Sequence, residues 1–206
     1  MTWSDIQLAS IRKMFVNTTA ISVEDLDTMR TDKKYITYLD AMPDAANEGI
    51  MIMVTRGKPK MSRRFLTIDM VSTEYEINGY YCFDVTEKLD NYLSMEKLYV
   101  DGAEYNGYIL RNNELLYIPK NIVDTKSLVI SYESYPDKIT KETPDDTKID
   151  LQIDMLNILP LYIASELYKD DDIALATYYR NEFETELGNM RKEPTDLHFT
   201  DVNGWL

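Results

Sequence analysis

The sequence holds a single cysteine, Cys82, and a single histidine, His198. One cysteine excludes an internal disulfide and fits a reducing compartment. One histidine excludes every site that needs two imidazoles from the same chain, zinc sites of the H-E-x-x-H type among them. No apolar run approaches the ~20 residues of a membrane span. The start, Met1-Thr2-Trp3-Ser4-Asp5, lacks the basic and apolar regions of a secretory signal. There is no internal repeat and no low-complexity run. Cations are scarce as well: Lys and Arg number 22 against 36 Asp and Glu, for a formal charge of −14. That balance argues against a protein that coats nucleic acid, because phosphate binding needs clustered cations. Neither phosphate-cradling glycine pattern, G-x-G-x-x-G or G-x-x-x-x-G-K, occurs, and no G-x-S-x-G elbow is present. His198 reads as a contact residue and Cys82 as a buried, inert thiol. Paired acids of the glycosidase kind stand in no recognisable frame. The expectation is a soluble intracellular protein that is not an enzyme, with no catalytic residue, no cofactor and no metal.

What is present is enough for a core. Hydrophobic residues are 44% and charged residues 28% of 206, as in ordinary globular proteins, and the length suits one domain or one domain with an insertion. Residues 1–57 read as helical. Ser4 is a candidate N-cap before Ile6, Leu8, Ile11, Met14 and Phe15. Ser22 and Asp25 suggest a capping box opening a short helix to about Arg30. A third helix carries Tyr35, Leu39, Met42, Ala45, Ala46, Ile50 and Met53, with Pro43 expected to kink or restart it and Gly57 to stop it. Between residues 60 and 135 the pattern turns to short alternating runs. Strands are expected at Arg64–Ile68, Glu74–Ile77, Tyr80–Val85, Lys97–Val100, Tyr108–Leu110, Leu115–Ile118 and Leu128–Tyr132. Asp101-Gly102 and Asn112-Asn113 supply tight turns. Residues 87–95 read as a loop or a short helical excursion, and residues 136–147 as a polar linker. Two helices then form a hairpin. The first places Ile149, Ile153, Leu156, Pro160, Ile163 and Leu167 on one face, with Pro160 loosening it near Leu156. The second runs from about Asp172 to Met190 with Ile173, Ala176, Thr177, Arg180, Phe183 and Leu187 inward. Asp170, Asp171 and Asp172 lack calcium-loop spacing and read as helix capping. The fold class is therefore α+β: a discontinuous helical domain from residues 1–57 and 148–192, an inserted antiparallel β-sandwich at 60–135, and an extended tail at 193–206.

Three features suggest contacts with other chains. Arg56, Lys58, Lys60, Arg63 and Arg64 place five cations in nine residues without an acid, while residues 143–206 hold 14 acidic and 5 basic side chains. Opposite patches in different regions suit a head-to-tail interface between identical copies, and such interfaces build rings. The 16 tyrosines fit both half-buried strands and interfaces. The tail carries Leu197, Phe199, Trp205 and Leu206, apolar side chains that need either the chain's own body or a neighbour to cover them.

The run Leu159-Pro160-Leu161-Tyr162-Ile163-Ala164-Ser165-Glu166-Leu167, then Asp170-Asp171-Asp172, then Ala174, Ala176, Tyr178-Tyr179-Arg180-Asn181-Glu182-Phe183-Glu184 and Leu187 resembles the helical hairpin of head–tail connector (portal-adaptor) proteins of tailed bacteriophages. Met42-Pro43-Asp44-Ala45-Ala46-Asn47-Glu48-Gly49 is similar to their long early helix. The resemblance implies a structural virion protein at the capsid–tail junction, assembled in the host cytoplasm. Such adaptors form a ring, typically of about twelve subunits, beneath the portal ring. The ring extends the DNA channel without binding DNA specifically and receives a stopper or tail protein. By the same resemblance Leu197, Phe199, Trp205 and Leu206 would dock on the portal protein; which helix lines the lumen is not readable from the sequence, and acids of the terminal hairpin such as Glu182, Glu184 and Glu186 are candidates, since acids there repel phosphate. The alternative from the residues alone is a carbohydrate- or peptide-binding β-sandwich on a helical frame.

Overall fold

The computed structural model of the protein describes residues 1–15, 22, 25–56 and 59–190. The chain is α+β. Three helices come first: α1 (Trp3–Met14), α2 (Asp25–Met29) and α3 (Ile36–Arg56). The β region follows, with β1 (Lys60–Leu66), β2 (Val71–Ile77), β3 (Tyr80–Asp84), the four-residue α4 (Val85–Lys88), β4 (Tyr92–Val100), β5 (Ala103–Glu104), β6 (Ile109–Arg111), β7 (Leu115–Pro119), the four-residue α5 (Lys120–Val123) and β8 (Leu128–Ser134). Two helices close the described chain, α6 (Ile153–Leu167) and α7 (Ile173–Asn189).

Local chemistry sets the helix boundaries. Thr2, not Ser4, caps α1: its hydroxyl accepts the Asp5 N–H at 3.3 Å, and the Asp5 carboxylate accepts the Thr2 N–H at 2.8 Å. The box forms two residues earlier than expected because Ser4 is buried in the first turn, its hydroxyl 2.9 Å from that of Thr2. The Thr2 N–H holds the Asp5 carboxyl below its ordinary range. Asp172 caps α7 as expected, accepting the N–H groups of Ala174 and Leu175 at 3.0 and 3.1 Å. Pro43 and Pro160 both lie inside unbroken helices. Both are buried, so packing holds the turn that a proline weakens.

One core joins the two ends of the sequence. Trp3, Ile6, Ile11 and Met14 of α1 meet Leu39, Met42, Ala46, Ile50 and Met53 of α3, Met155, Leu159, Tyr162 and Ile163 of α6, and Phe183 and Leu187 of α7. α6 is the central member, contacting α1, α3 and α7. The helices approach closely at Gly49, where a Cβ would stand 2.8 Å from the Tyr162 ring and 3.0 Å from Leu159. Only glycine lets α3 and α6 pack at that distance. Tyr162 is fully buried, edge-on to Phe183 at 5.1 Å, with the Arg180 guanidinium 4.8 Å above its ring.

The second core lies between two antiparallel sheets with strand orders β1-β8-β4-β5 and β2-β3-β7-β6. It is built from Leu66, Phe83, Val85, Leu98, Leu116, Ile118, Leu128, Ile130 and Tyr132. A two-residue turn between β4 and β5 and a three-residue turn between β6 and β7, which ends at Glu114, fix two hairpin registers. Asp101 and Gly102 between β4 and β5, and Asn112 and Asn113 between β6 and β7, all take positive φ, from 51° to 83°. These are the turns expected from the sequence, and their twist matches the flanking strands.

Three differences from the sequence reading have physical causes. β4 begins at Tyr92, inside the stretch 87–95 read as loop or helix, because its first residues alternate with two register irregularities against β8. The polar stretch 136–147 is no free tether: Asn47 donates to the Ile139 carbonyl at 2.7 Å and accepts the Ile139 N–H at 2.9 Å, while Trp3 N–H bonds the Thr147 carbonyl at 2.8 Å. Ile173 and Thr177, expected inward on α7, are exposed, as is Ile153 at the start of α6. Ile153 and Ile173 open their helices, and Thr177 lies to one side of the face that Ala176, Phe183 and Leu187 bury. Gly57, the expected stop of α3, lies outside the described residues.

Candidate interaction surfaces

The basic run leaves α3 and enters β1, and each described member has a partner within the chain. Arg56 bonds Glu184 at 2.9 Å, Lys60 bonds Asp150 at 2.7 Å, and Arg64 bonds Asp90 at 2.7 Å. The Asp150 carboxylate raises the Lys60 ammonium above its ordinary pKa. Arg63 lies over the Tyr99 ring at 5.8 Å. Lys58 lies outside the described residues. The complementarity between a basic run and an acidic hairpin is thus realised in part inside one subunit, where Arg56 meets Glu184. These are surface pairs, each worth at most about 1 kcal/mol, so they fix orientation more than stability.

Glu184 also accepts from Arg180 at 3.2 Å, and Arg180 reaches Glu166 at 3.3 Å. Of the three acids expected as candidates for a lumen, Glu184 is therefore engaged twice. Glu182 is half-buried and Glu186 exposed, and neither carries an ion pair among the described residues. The Asp170–Asp172 turn is likewise structural: Asp171 accepts the Tyr38 hydroxyl, which pushes the Tyr38 phenol up to about 12, and Asp172 caps α7. Leu197, Phe199, Trp205, Leu206 and His198 lie outside the described residues.

Cys82 is buried in β3, and burial raises its thiol above the ordinary range. Among the described residues no group of three or more His, Cys, Asp or Glu side chains converges as a metal site requires. No helix among them is long and apolar enough to cross a membrane. A cleft of about 430 Å³ lies beside α1 and α3. Its charged side chains pair with one another, Arg30 with Asp145 at 2.5 Å and Lys141 with Asp40 at 3.2 Å.

Two apolar surfaces went unnoticed in the sequence. Ile173, Leu175 and Tyr178, in the first two turns of α7, are 76%, 40% and 60% exposed. Phe65 and Ile68, at the end of the sandwich where β1 finishes, are 65% and 56% exposed. They border a groove of about 520 Å³ with Val123 and Lys126. In the sequence these residues look like ordinary core positions, because a period shows which face a residue shares and not whether a neighbour covers it. The chain matches no protein-family model, and no curated protein matches it.

Proposed function

We propose that the chain is a structural subunit of a viral head–tail connector, assembled as a ring of identical copies beneath a portal ring. The observation that carries this reading is the exposed apolar start of α7. Leu175 and Tyr178, three residues apart, share one exposed side of α7, and Ile173 stands uncovered at its first turn; the residues around them are mostly acidic and polar. An apolar patch with a polar rim is the anatomy of a protein–protein contact. A ring needs each copy to offer a patch to one neighbour and accept a different patch from the other. The scaffold suits this, because α6 and α7 share one hydrophobic core with α1 and α3 from the other end of the chain.

In this reading Glu182 and Glu186 supply negative potential along the channel, so DNA passes without being held. Glu184 contributes less, since Arg56 and Arg180 neutralise it. The portal protein and a stopper or tail protein are the partners on either side of the ring. The test is the native mass of the purified chain, alone and mixed with a portal ring. The wild-type protein is expected to bind, and the Ile173→Asp, Tyr178→Asp double variant to remain folded and fail to form rings. Rings of unchanged yield in that variant would overturn the role given to α7. Charge reversal at Glu182 and Glu186 is expected to slow DNA ejection, and unchanged ejection would remove them from the lumen.

A further inference from the structure

The cleft of about 430 Å³ beside α1 and α3 is closed on its other side by residues 141–145. Small-molecule sites run from about 300 to 1,000 Å³, so its size is that of a ligand site. One wall is apolar. Trp3, Leu39 and Pro43 are buried along it. Ile36, the first residue of α3, also lines the cleft and is 40% exposed, which leaves apolar area for a ligand to take out of water.

Gln7 stands on α1 in the same lining and is only 4% exposed. Its Oε1 accepts from the Arg30 guanidinium at 3.4 Å. That bond fixes which end of the amide is which, because a guanidinium only donates. The Gln7 Nε2 has no hydrogen-bond partner among the described residues. A buried donor without an acceptor is costly, so a ligand that accepts from it gains more there than at an open surface.

The charges in the lining restrict the ligand further. Two cations and two carboxylates are present, and they are paired: Arg30 with Asp145 at 2.5 Å and Lys141 with Asp40 at 3.2 Å. An ionic ligand would have to break one of these pairs or go unpaired in a partly buried site. Both pairs tie the 141–145 wall to the helical side, so the cleft is formed before a ligand arrives.

An apolar wall, one free donor and balanced charge together describe one kind of ligand. We propose that this cleft binds a small uncharged molecule with an aliphatic body and a carbonyl group. The body lies against Trp3, Ile36 and Leu39, and the carbonyl oxygen accepts from Gln7 Nε2. The inference goes beyond the connector reading and does not depend on it.

The test adds N-acetylleucine amide, an uncharged probe with both features, to the full chain. Nuclear magnetic resonance follows the side-chain N–H signals of Gln7 and the methyl signals of Ile36. Both are expected to move and to saturate as the probe is added. N-acetylleucine, an anion, and leucine amide, a cation at neutral pH, keep the same body and are expected to bind about 10-fold more weakly or worse. Gln7→Met keeps the length of the side chain and removes the donor. In that variant the affinity, read from the Ile36 methyls, is expected to fall about 3- to 10-fold. Wild-type Gln7 signals that stay in place, or that move without saturating, would overturn the proposal whether or not the variant folds. Equal binding of the three probes would overturn it, and so would an unchanged affinity in Gln7→Met.

Discussion

Replacing Gly49 by alanine gives the sharpest reading of the helical core. On a solvent-facing helix this change stabilises by about 1 kcal/mol, since glycine is the poorer helix former. At Gly49 the new Cβ would lie 2.8 Å from Tyr162 Cδ1 and 3.0 Å from both Tyr162 Cγ and Leu159 Cδ1. The Leu159 methyl can turn away. The Tyr162 ring cannot, because Phe183 meets it edge-on and Arg180 covers its face. Overpacking of this kind costs about 1–3 kcal/mol, so after the helix gain of about 1 kcal/mol the net expectation is a loss of up to about 2 kcal/mol. Gly188, near the end of α7, is the matched control, with nothing within 4 Å of its added Cβ. Gly188→Ala is expected to stabilise by about 0.5–1 kcal/mol. Urea unfolding followed by far-ultraviolet circular dichroism should give opposite signs for the two variants. Equal stabilisation by both would refute the account of α3–α6 packing.

Two further outcomes follow from the structure. Asn47→Ala removes both bonds to Ile139 and leaves that backbone without its partners, at a cost of about 2 kcal/mol. Hydrogen exchange should quicken across residues 136–147 before it does in the sandwich; unchanged protection there would mean that Asn47 does not anchor the segment. At alkaline pH, Tyr38 and Tyr92 have folded pKa values of about 12, against 10 unfolded, from the Asp171 bond and from burial respectively. Raised pKa values mean that the folded state keeps protons the unfolded state loses, so stability is full below pH 10 and falls between pH 10 and pH 12. Tyr38→Phe should flatten part of that fall. A stability curve level to pH 12 would contradict both assignments.

Much of the architecture was legible because it rests on local signals. The turns at Asp101-Gly102 and Asn112-Asn113 are written in residues that tolerate positive φ, and they fixed two hairpins. The Asp172 cap and the inward Ala176, Phe183 and Leu187 followed from spacing. Other elements were hidden for physical reasons. The short β5 owes its existence to its neighbour: two residues carry no period, and Ala103 and Glu104 become a strand only by pairing with Val100 and Tyr99. The pinning of residues 136–147 depends on Asn47, 92 residues away from Ile139, and no local pattern reports such a contact. The basic run was visible, but its intrachain partners Asp90, Asp150 and Glu184 were not, because ion pairing depends on the fold. The exposed starts of α6 and α7 look the same in sequence as buried ones.

The measurement closest to the central claim is the native mass of the full chain, taken across a range of concentrations with and without portal protein. A protomer weighs 24.0 kDa. The account predicts a closed ring of identical copies, formed alone or on the portal ring. A 24.0 kDa monomer under every condition, above all one that binds a glycan or turns over a substrate, would contradict it.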